Sequence, residues 1–419
     1  MFLKKTVGAV EKKIPMGENY TGRVRLRILE LDIKLSTKFN MEEKMRQLNV
    51  LTVLIVMIGL LTMTAAAEKS QPKPLIQMAI LLDTSGSMEG LIEQAKTQLW
   101  KIVNDMALAK QNNVSPRLEV GLYEYGKDSI PASEGYLRQI VPLSTDLDLL
   151  SEELFKLRTN GGSEYCGTVI QSAVKGLKWS DKNDHLKVIF IAGNEPFTQG
   201  SVDYKESCKE AITKGIIVNT IFCGNYQEGV NTWWKDGADR ADGKYMNIDH
   251  NKKVVQISAP QDKEINALGA QLNTTYVAYG RRGTAKKMRQ EAQDANAAGV
   301  SAPVQVQRSI AKAQKQYVNV DWDLVDASNE GKVKVEEMEE EALPEEMKKM
   351  TKEERKGFIE KKTKEREKIQ KKINELRKAR DKYIAEQRKA KAGETTLDDA
   401  IIEAIRSQAA KKKFKYEKK

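Results

Sequence analysis

The chain has 419 residues, 31% of them charged and 40% hydrophobic, and a net charge of +11. This hydrophobic content is ordinary for a soluble protein, and the length allows a domain of about 200 residues with a full core. The two histidines, His185 and His250, argue against histidine catalysis or a histidine-rich metal site. Three cysteines are too few and too widely spaced for a disulfide scaffold or a zinc ribbon.

The excess positive charge lies in the tails. Residues 341–419 carry about +10 and residues 1–44 about +4, whereas the middle of the chain is slightly acidic. The basic character therefore belongs to the ends and not to the predicted folded domain.

An apolar run near the N-terminus predicts export. Residues 50–63 are almost entirely apolar, but the run is too short to cross a bilayer comfortably. Basic residues precede it and Ala65-Ala66-Ala67 follows it, which is the layout of a secretory signal peptide. We therefore expect a signal peptide at residues 45–67 and a periplasmic or extracellular protein, an uncleaved membrane anchor being the alternative.

The long polar lead before this run is unusual for an export signal. Met41 or Met45 would each give a signal peptide of ordinary length. We expect residues 1–44 to be non-structural or to lie upstream of the true start.

Alternating apolar runs and helical patterns follow. Short continuous apolar runs are typical of strands buried on both faces of a parallel sheet, and strands that alternate with helices indicate crossover units. The predicted strands are Leu75–Leu82, Leu118–Tyr125, Gln139–Leu143, Leu186–Ala192, Ile216–Phe222 and Lys244–Ile248. Helices are predicted over Leu147–Leu157, through Val169 to Leu177, and over Tyr204–Thr213. The fold class is α/β, with a doubly wound, mostly parallel sheet over about residues 75–280.

The pattern changes after residue 280. Residues 281–345 are mixed and polar, and we expect a linker or extension there. Residues 346–419 are rich in Lys, Arg and Glu and predict a charged helical region, whose last helix begins at Thr396 as N-cap.

One short motif stands between the first strand and the first helix. Asp83, Ser85 and Ser87 alternate along the turn, so their side chains can converge above the sheet edge where open α/β sheets bind ligands. One carboxylate and two hydroxyls are hard oxygen ligands suited to Mg²⁺, or to Mn²⁺ or Ca²⁺. The alternative for Asp83 is N-capping of the helix.

This segment resembles the von Willebrand factor A family, whose metal-ion-dependent adhesion site has the pattern D-x-S-x-S. The resemblance covers about residues 75–280 and implies a non-enzymatic module that binds a partner carboxylate through a divalent metal. It also implies a threonine from a second loop, and Ser163 stands at that position after Gly161-Gly162.

The third loop departs from the family pattern. Where the family usually has an aspartate after the fourth strand, this chain has Gly193, followed by Asn194 and Glu195. We expect either of these two residues to reach the metal directly or through water. The loss of one carboxylate predicts weaker resting metal affinity, or a metal more attractive to a partner carboxylate.

Several further patterns are ambiguous. No nucleophile elbow or phosphate loop is present, which argues against an enzyme. Cys166 and Cys223 are placed where a disulfide could form, although the pattern favours buried thiols over the bridge. Trp233-Trp234 is either an exposed recognition pair or packed, and His185 is more consistent with a packed or capping residue than with a catalyst.

The basic C-terminus could bind an anionic partner. Export removes nucleic acid as a partner, which leaves an anionic envelope surface or a plain solvated tail. The alternative to a metal-dependent protein-binding module is a metal-independent structural envelope protein that binds partners through its C-terminal helices.

Overall fold

The computed structural model describes residues 73–249, 256–390 and 397–416. The predicted signal peptide, the segment before it, His250 and the predicted cap Thr396 lie outside the described residues.

A six-stranded sheet forms the centre of the fold. Its strands are β1 (Leu75–Asp83), β3 (Arg117–Tyr125), β4 (Leu137–Ser144), β5 (Leu186–Gly193), β6 (Ile217–Cys223) and β7 (Tyr245–Ile248). Their spatial order is β4-β3-β1-β5-β6-β7, and every pair is parallel except β3 with β4. The doubly wound, mostly parallel sheet predicted from the sequence is confirmed.

The strand sequences explain this arrangement. All eight residues of β5 and all seven of β6 are buried, as expected for strands covered by helices on both faces. Strand β3 lies on one side of β1, and β5, which comes later in the chain, lies on the other side. The carboxyl ends of β1 and β5 therefore border the topological switch point, where this class of fold binds ligands.

Helices cover both faces of the sheet and continue to the C-terminus. They are α1 (Glu89–Ala107), α2 (Leu147–Lys156), α3 (Cys166–Gly176), α4 (Tyr204–Thr213), α5 (Tyr226–Asn231), α6 (Trp234–Arg240), α7 (Asp262–Asn273), α8 (Gly283–Val300), α9 (Ala302–Lys312), α10 (Leu324–Asn329), α11 (Lys352–Ala390) and α12 (Leu397–Lys411). Short 3₁₀ turns occupy Gly86–Met88, Ala132–Glu134, Val335–Glu337, Glu340–Ala342 and Glu345–Met347. Two-residue strands β2 (Ala109–Lys110) and β8 (Lys415–Tyr416) pair antiparallel.

The segment that we expected to be a polar linker or extension contains α8 and α9, which pack on the α/β core. Arg308 of α9 is buried between the rings of Trp100 and Tyr317, 4.4 and 5.1 Å from their centroids. Its guanidinium pairs with Asp148 at 2.7 Å and with Asp294 at 2.8 Å. The polar composition of this segment thus reflects buried, paired charges as well as solvated surface.

The long charged helix α11 is docked by similar pairs. Arg366 donates to Asp323 at 2.6 Å and to Asp326 at 2.7 Å, and its guanidinium lies 4.1 Å from the ring centroid of Tyr276. Further along the same helix, Arg380 donates to Asp262 of α7 at 2.6 Å. The charged C-terminal helical region predicted from composition is present, and one face of it is packed.

Helix α12 returns to the sheet. The Gln408 side chain donates to Asn219 of β6 at 2.6 Å, and both amides are buried. Phe414 and Ile405 add buried apolar contacts to the core on the same face of the sheet as α1. Within the described residues no helix combines the length and the apolar character needed to cross a bilayer.

Candidate metal-binding site

The end of β1 places a buried carboxylate at the switch point. Asp83 is fully buried, and its Oδ1 accepts a hydrogen bond from the backbone N–H of Ser85 at 2.7 Å. This is the local turn contact that aspartates favour at a strand-to-helix junction. Its Oδ2 is buried without a hydrogen-bond partner. Capping the turn thus accounts for one oxygen of Asp83 and leaves the other unused.

The two serines of the motif lie together above this carboxylate. Ser85 Oγ and Ser87 Oγ are 3.3 Å apart, and the Asn194 side-chain amide donates to Ser87 Oγ at 3.2 Å. Asn194 Oδ1 is itself buried without a partner. The first loop and the third loop therefore meet at Ser87, and the structure brings Asn194 to the motif.

The second loop approaches the first through its backbone. Asn160 N donates to Thr84 O at 2.9 Å. Gly162 packs against the backbone of Gly126 so closely that a Cβ would stand 2.6 Å from its carbonyl, so only glycine fits. Ser163, half-buried, stands in this loop between Gly162 and Glu164.

Glu164 is a site residue that the sequence interpretation missed. It is buried, and its side chain lies beside Asp83 across Gly126, a residue with φ +76°. A Cβ on Gly126 would meet Asp83 Oδ1 at 2.7 Å and Glu164 Cγ at 2.8 Å. A carboxylate directly after the predicted hydroxyl ligand was the available signal, but a buried orientation could not be read from the sequence.

Burial and nearby negative charges raise the pKa of both carboxyl groups. Burial, with the nearby charges of Glu164 and Glu195, raises the pKa of Asp83 to about 8, although hydrogen bonds from Ser85 oppose the shift. Burial, Glu195 and Asp128 raise the pKa of Glu164 to about 7, again against a hydrogen bond with Ser85. A bound cation would favour the ionised form of both groups.

The third loop begins at Gly193, the last residue of β5, which lies in close contact with Tyr125 and Asp83. A Cβ on Gly193 would stand 2.5 Å from the Tyr125 hydroxyl oxygen and 3.0 Å from Asp83 Oδ2. The Tyr125 hydroxyl donates to Ala192 O at 2.9 Å, which fixes it there. A side chain at position 193 therefore has no room.

Glu195 lies in the same loop but is engaged elsewhere. Its Oε2 accepts from the Gln199 amide at 3.2 Å, and its carbonyl accepts from Trp234 Nε1 at 2.8 Å. Within the described part of the chain, no three His, Cys, Asp or Glu side chains lie close enough to hold one metal ion. A metal at this edge would thus be held by one or two carboxylates, with hydroxyl, amide and water oxygens completing the coordination.

The structure shows the surroundings of the cysteines, of the tryptophan pair and of His185. All three cysteines are buried free thiols, so the hypothesised Cys166–Cys223 bridge is not formed. Trp234 is fully buried against Phe197, whereas Trp233 is 49% exposed. His185 Nδ1 is 2.7 Å from Ser180 Oγ, a packed contact beside the start of β5.

The family comparison assigns the part of the chain that forms the sheet. The family model of the von Willebrand factor type A domain matches residues 77–241, which is less than half of the chain. This part of the chain is a von Willebrand factor type A (VWA) domain. Such domains are protein-interaction modules, and some of them carry a metal-ion-dependent adhesion site.

Solved structures with low identity resemble part of the chain. BatB from Bacteroides thetaiotaomicron is 16% identical, with a TM-score of 0.32 over 42% of this chain and 90% of that chain. The SpRpn10 VWA domain is 18% identical, with a TM-score of 0.33 over 42% and 88%.

A third similar structure is described as holding a metal. It is proximal thread matrix protein 1 from the mussel byssus with a zinc-occupied MIDAS motif, 12% identical, with a TM-score of 0.31 over 43% of each chain. Comparison with curated proteins gave no significant match.

Proposed function

We propose that this protein is a non-enzymatic, extracytoplasmic binding module that captures a partner's Asp or Glu carboxylate through a divalent metal. The metal, Mg²⁺ or alternatively Mn²⁺ or Ca²⁺, would be held by Asp83, Ser85, Ser87 and Ser163, with Asn194 or Glu195 assisting directly or through water. The observation that carries the proposal is the unpartnered Oδ2 of Asp83, a fully buried atom at the switch point of the sheet.

A buried carboxylate oxygen without a hydrogen bond is costly, and the usual compensation is a proton, a partner charge or a metal. Hydroxyl oxygens of Ser85 and Ser87 and the unpartnered Asn194 Oδ1 lie on the same loops, so the donor set is hard and oxygen-based. When bound, the cation would supply a positive centre for a partner carboxylate.

The chain's own residues have separate roles in this proposal. Asp83 holds charge at the centre, and its Oδ1 contact with Ser85 N fixes the turn that carries both serines. Asn194, through Ser87, keeps the third loop against the first. Gly162 and Gly126 let the second loop approach within van der Waals contact, which a larger residue would prevent.

Calorimetry of the purified protein with Mg²⁺ and Mn²⁺ tests the metal. We expect saturable binding by the wild type and none by Asp83→Ala. Asp239→Ala is the matched control, because Asp239 is an exposed carboxylate paired with Lys235 on the surface of α6. Equal metal uptake by wild type and Asp83→Ala would contradict the proposal.

Partner capture is tested by pull-down from the native envelope with and without chelator. We expect one or more proteins to be retained by the wild type and released by chelator, with the Asp83→Ala protein retaining none. Equal retention by both proteins would favour the metal-independent alternative, in which the C-terminal helices or the basic C-terminus make the contact.

The extracytoplasmic location is a separate part of the proposal and rests on the residue 45–67 pattern. N-terminal sequencing of the protein from its native cells should give a mature start near Glu68. A start at or before Met45 would contradict signal cleavage.

A further inference from the structure

The VWA site of this chain lacks the usual carboxylate of the third loop, and the structure gives a steric reason. Gly193 stands where that residue would be, and the Tyr125 hydroxyl with Asp83 Oδ2 fills the space that a side chain would need. Tyr125 is buried and its hydroxyl donates to Ala192 O, so a side chain at position 193 would have to displace a buried, hydrogen-bonded ring. A second carboxylate must come from another loop if the centre has one.

Glu164 is positioned to be that carboxylate. The residue is only 6% exposed. Glu164 Cγ and Asp83 Oδ1 lie on either side of the position that a Cβ on Gly126 would take. The Glu164 backbone N–H donates to Gln199 Oε1 at 3.2 Å, which anchors the second loop to the turn after β5. A buried glutamate beside a buried aspartate, with no Lys or Arg paired to either among the described residues, is the arrangement expected of a cation site.

The other candidate, Glu195, is less suitable because the same glutamine engages it. Gln199 Nε2 donates to Glu195 Oε2 at 3.2 Å while Gln199 Oε1 accepts from Glu164 N. Gln199 thereby holds the Glu195 carboxylate, whereas the Glu164 carboxylate interacts with Ser85 and with the charge of Asp83. Asp83 Oδ2 and Asn194 Oδ1, at the same edge of the sheet, are buried oxygens without a hydrogen-bond partner and are a second, independent observation in favour of a cation site.

We infer that Glu164 supplies the second carboxylate of the metal centre, replacing the third-loop aspartate that Tyr125 excludes. This inference rests on the proposed metal function and assigns a residue to it. Two carboxylates would balance the charge of a divalent cation, so the resting metal would be held more firmly than the sequence alone suggested. They would also make the bound metal less attractive to a partner carboxylate, so capture would select partners that add neutral contacts around the acidic group.

The test is Mn²⁺ binding by calorimetry, with the low-temperature electron paramagnetic resonance spectrum of bound Mn²⁺ as a second readout. We expect Glu164→Gln to weaken Mn²⁺ binding about tenfold or more, and Glu164→Asp to weaken it less because the charge remains. Glu403→Gln, at a glutamate on α12 whose side chain is 76% exposed, is the matched control and should leave the affinity unchanged. Glu195→Gln tests the third-loop alternative and should weaken Mn²⁺ binding less than Glu164→Gln does. The bound-Mn²⁺ spectrum should change in Glu164→Gln and stay the same in Glu403→Gln.

The outcomes separate this inference from the proposed function. Loss of Mn²⁺ binding in Asp83→Ala together with wild-type affinity in Glu164→Gln would overturn the role of Glu164 alone. A larger loss in Glu195→Gln than in Glu164→Gln would also overturn it and assign the carboxylate to the third loop. Mn²⁺ binding by Asp83→Ala with wild-type affinity would contradict both the proposed metal site and the role of Glu164.

Folding of the variants is checked by their thermal transitions in chelator. Glu164→Gln removes a buried negative charge next to Asp83, so it should unfold no earlier than the wild type. If it unfolds earlier, Glu164→Asp, which keeps both the charge and the fold, decides the matter: its affinity should exceed that of Glu164→Gln, and equal affinities would overturn the inference.

Discussion

The hydroxyl oxygen of Tyr125 stands 2.5 Å from the point where a side chain at Gly193 would begin. The same point lies 3.0 Å from Asp83 Oδ2, so Tyr125, Gly193 and the candidate site form one packed unit at the ends of β1, β3 and β5. Tyr125 and a glycine at position 193 therefore fit one another, because a larger residue at 193 would collide with the tyrosine hydroxyl.

This relationship predicts the effect of filling the space. Gly193→Ala should lower the free energy of unfolding by about 1–3 kcal/mol, because the added methyl group overpacks a buried site. The double variant Tyr125→Phe/Gly193→Ala should lose less free energy of unfolding than the sum of the two single variants, because the tyrosine hydroxyl that makes the closest contact is removed. Urea unfolding measures both, and an unchanged midpoint for Gly193→Ala would show that the space is not closed.

The raised pKa values predict a pH dependence of stability in chelator. The pKa of Asp83 is about 8 in the folded protein against an ordinary value of 3.8, and that of Glu164 is about 7 against an ordinary value of 4.5. Between about pH 4 and pH 8 the folded state therefore holds protons that the unfolded chain has released, and stability falls as the pH rises.

The measurement compares wild type with Asp83→Asn at pH 5 and pH 8 in chelator. Between pH 5 and pH 8 we expect the free energy of unfolding to fall by at least about 1 kcal/mol more in the wild type than in the variant, because one pKa unit corresponds to about that free energy. Asp83→Asn should also be the more stable protein at pH 8. Identical pH profiles of the two proteins would contradict the prediction.

The docking of α11 by Arg366 predicts a large single-residue effect. Arg366→Ala leaves the buried Asp323 without its charge partner and should cost about 3–5 kcal/mol of unfolding free energy. Lys364→Ala, an exposed change on the same helix, should stay within about 0.5 kcal/mol of the wild type. Equal urea midpoints for the two variants would show that α11 is held by other contacts.

The return of α12 to β6 predicts a smaller effect. Gln408→Leu removes the amide that donates to the buried Asn219 and should cost about 1–3 kcal/mol. Ser407→Ala, the preceding residue of α12, is the control because its hydroxyl contacts only its own helix at Ala404 O. A Gln408→Leu protein as stable as the control would mean that the buried amide pair adds no net stability.

The α/β class and most of the strand and helix positions follow from local sequence patterns. Continuous apolar runs such as Leu186–Ala192 predict buried parallel strands, and the helical pattern predicts α4 with the bounds that the structure has, Tyr204–Thr213. The alternating oxygens of Asp83, Ser85 and Ser87 are also legible in the sequence, because neighbours along one turn depend on local geometry alone.

The surroundings of that turn depend instead on long-range packing. The burial of Glu164 beside Asp83, the exclusion of a side chain at Gly193 by Tyr125 and the bond from Asn194 to Ser87 all join residues that are tens of positions apart. The packing of the charged C-terminal helices could not be predicted either. A run of Lys, Arg and Glu has the same sequence pattern whether its charges are solvated or paired with a buried residue such as Asp323. Such contacts depend on how the strands are ordered in space, and a local sequence pattern carries no record of that order.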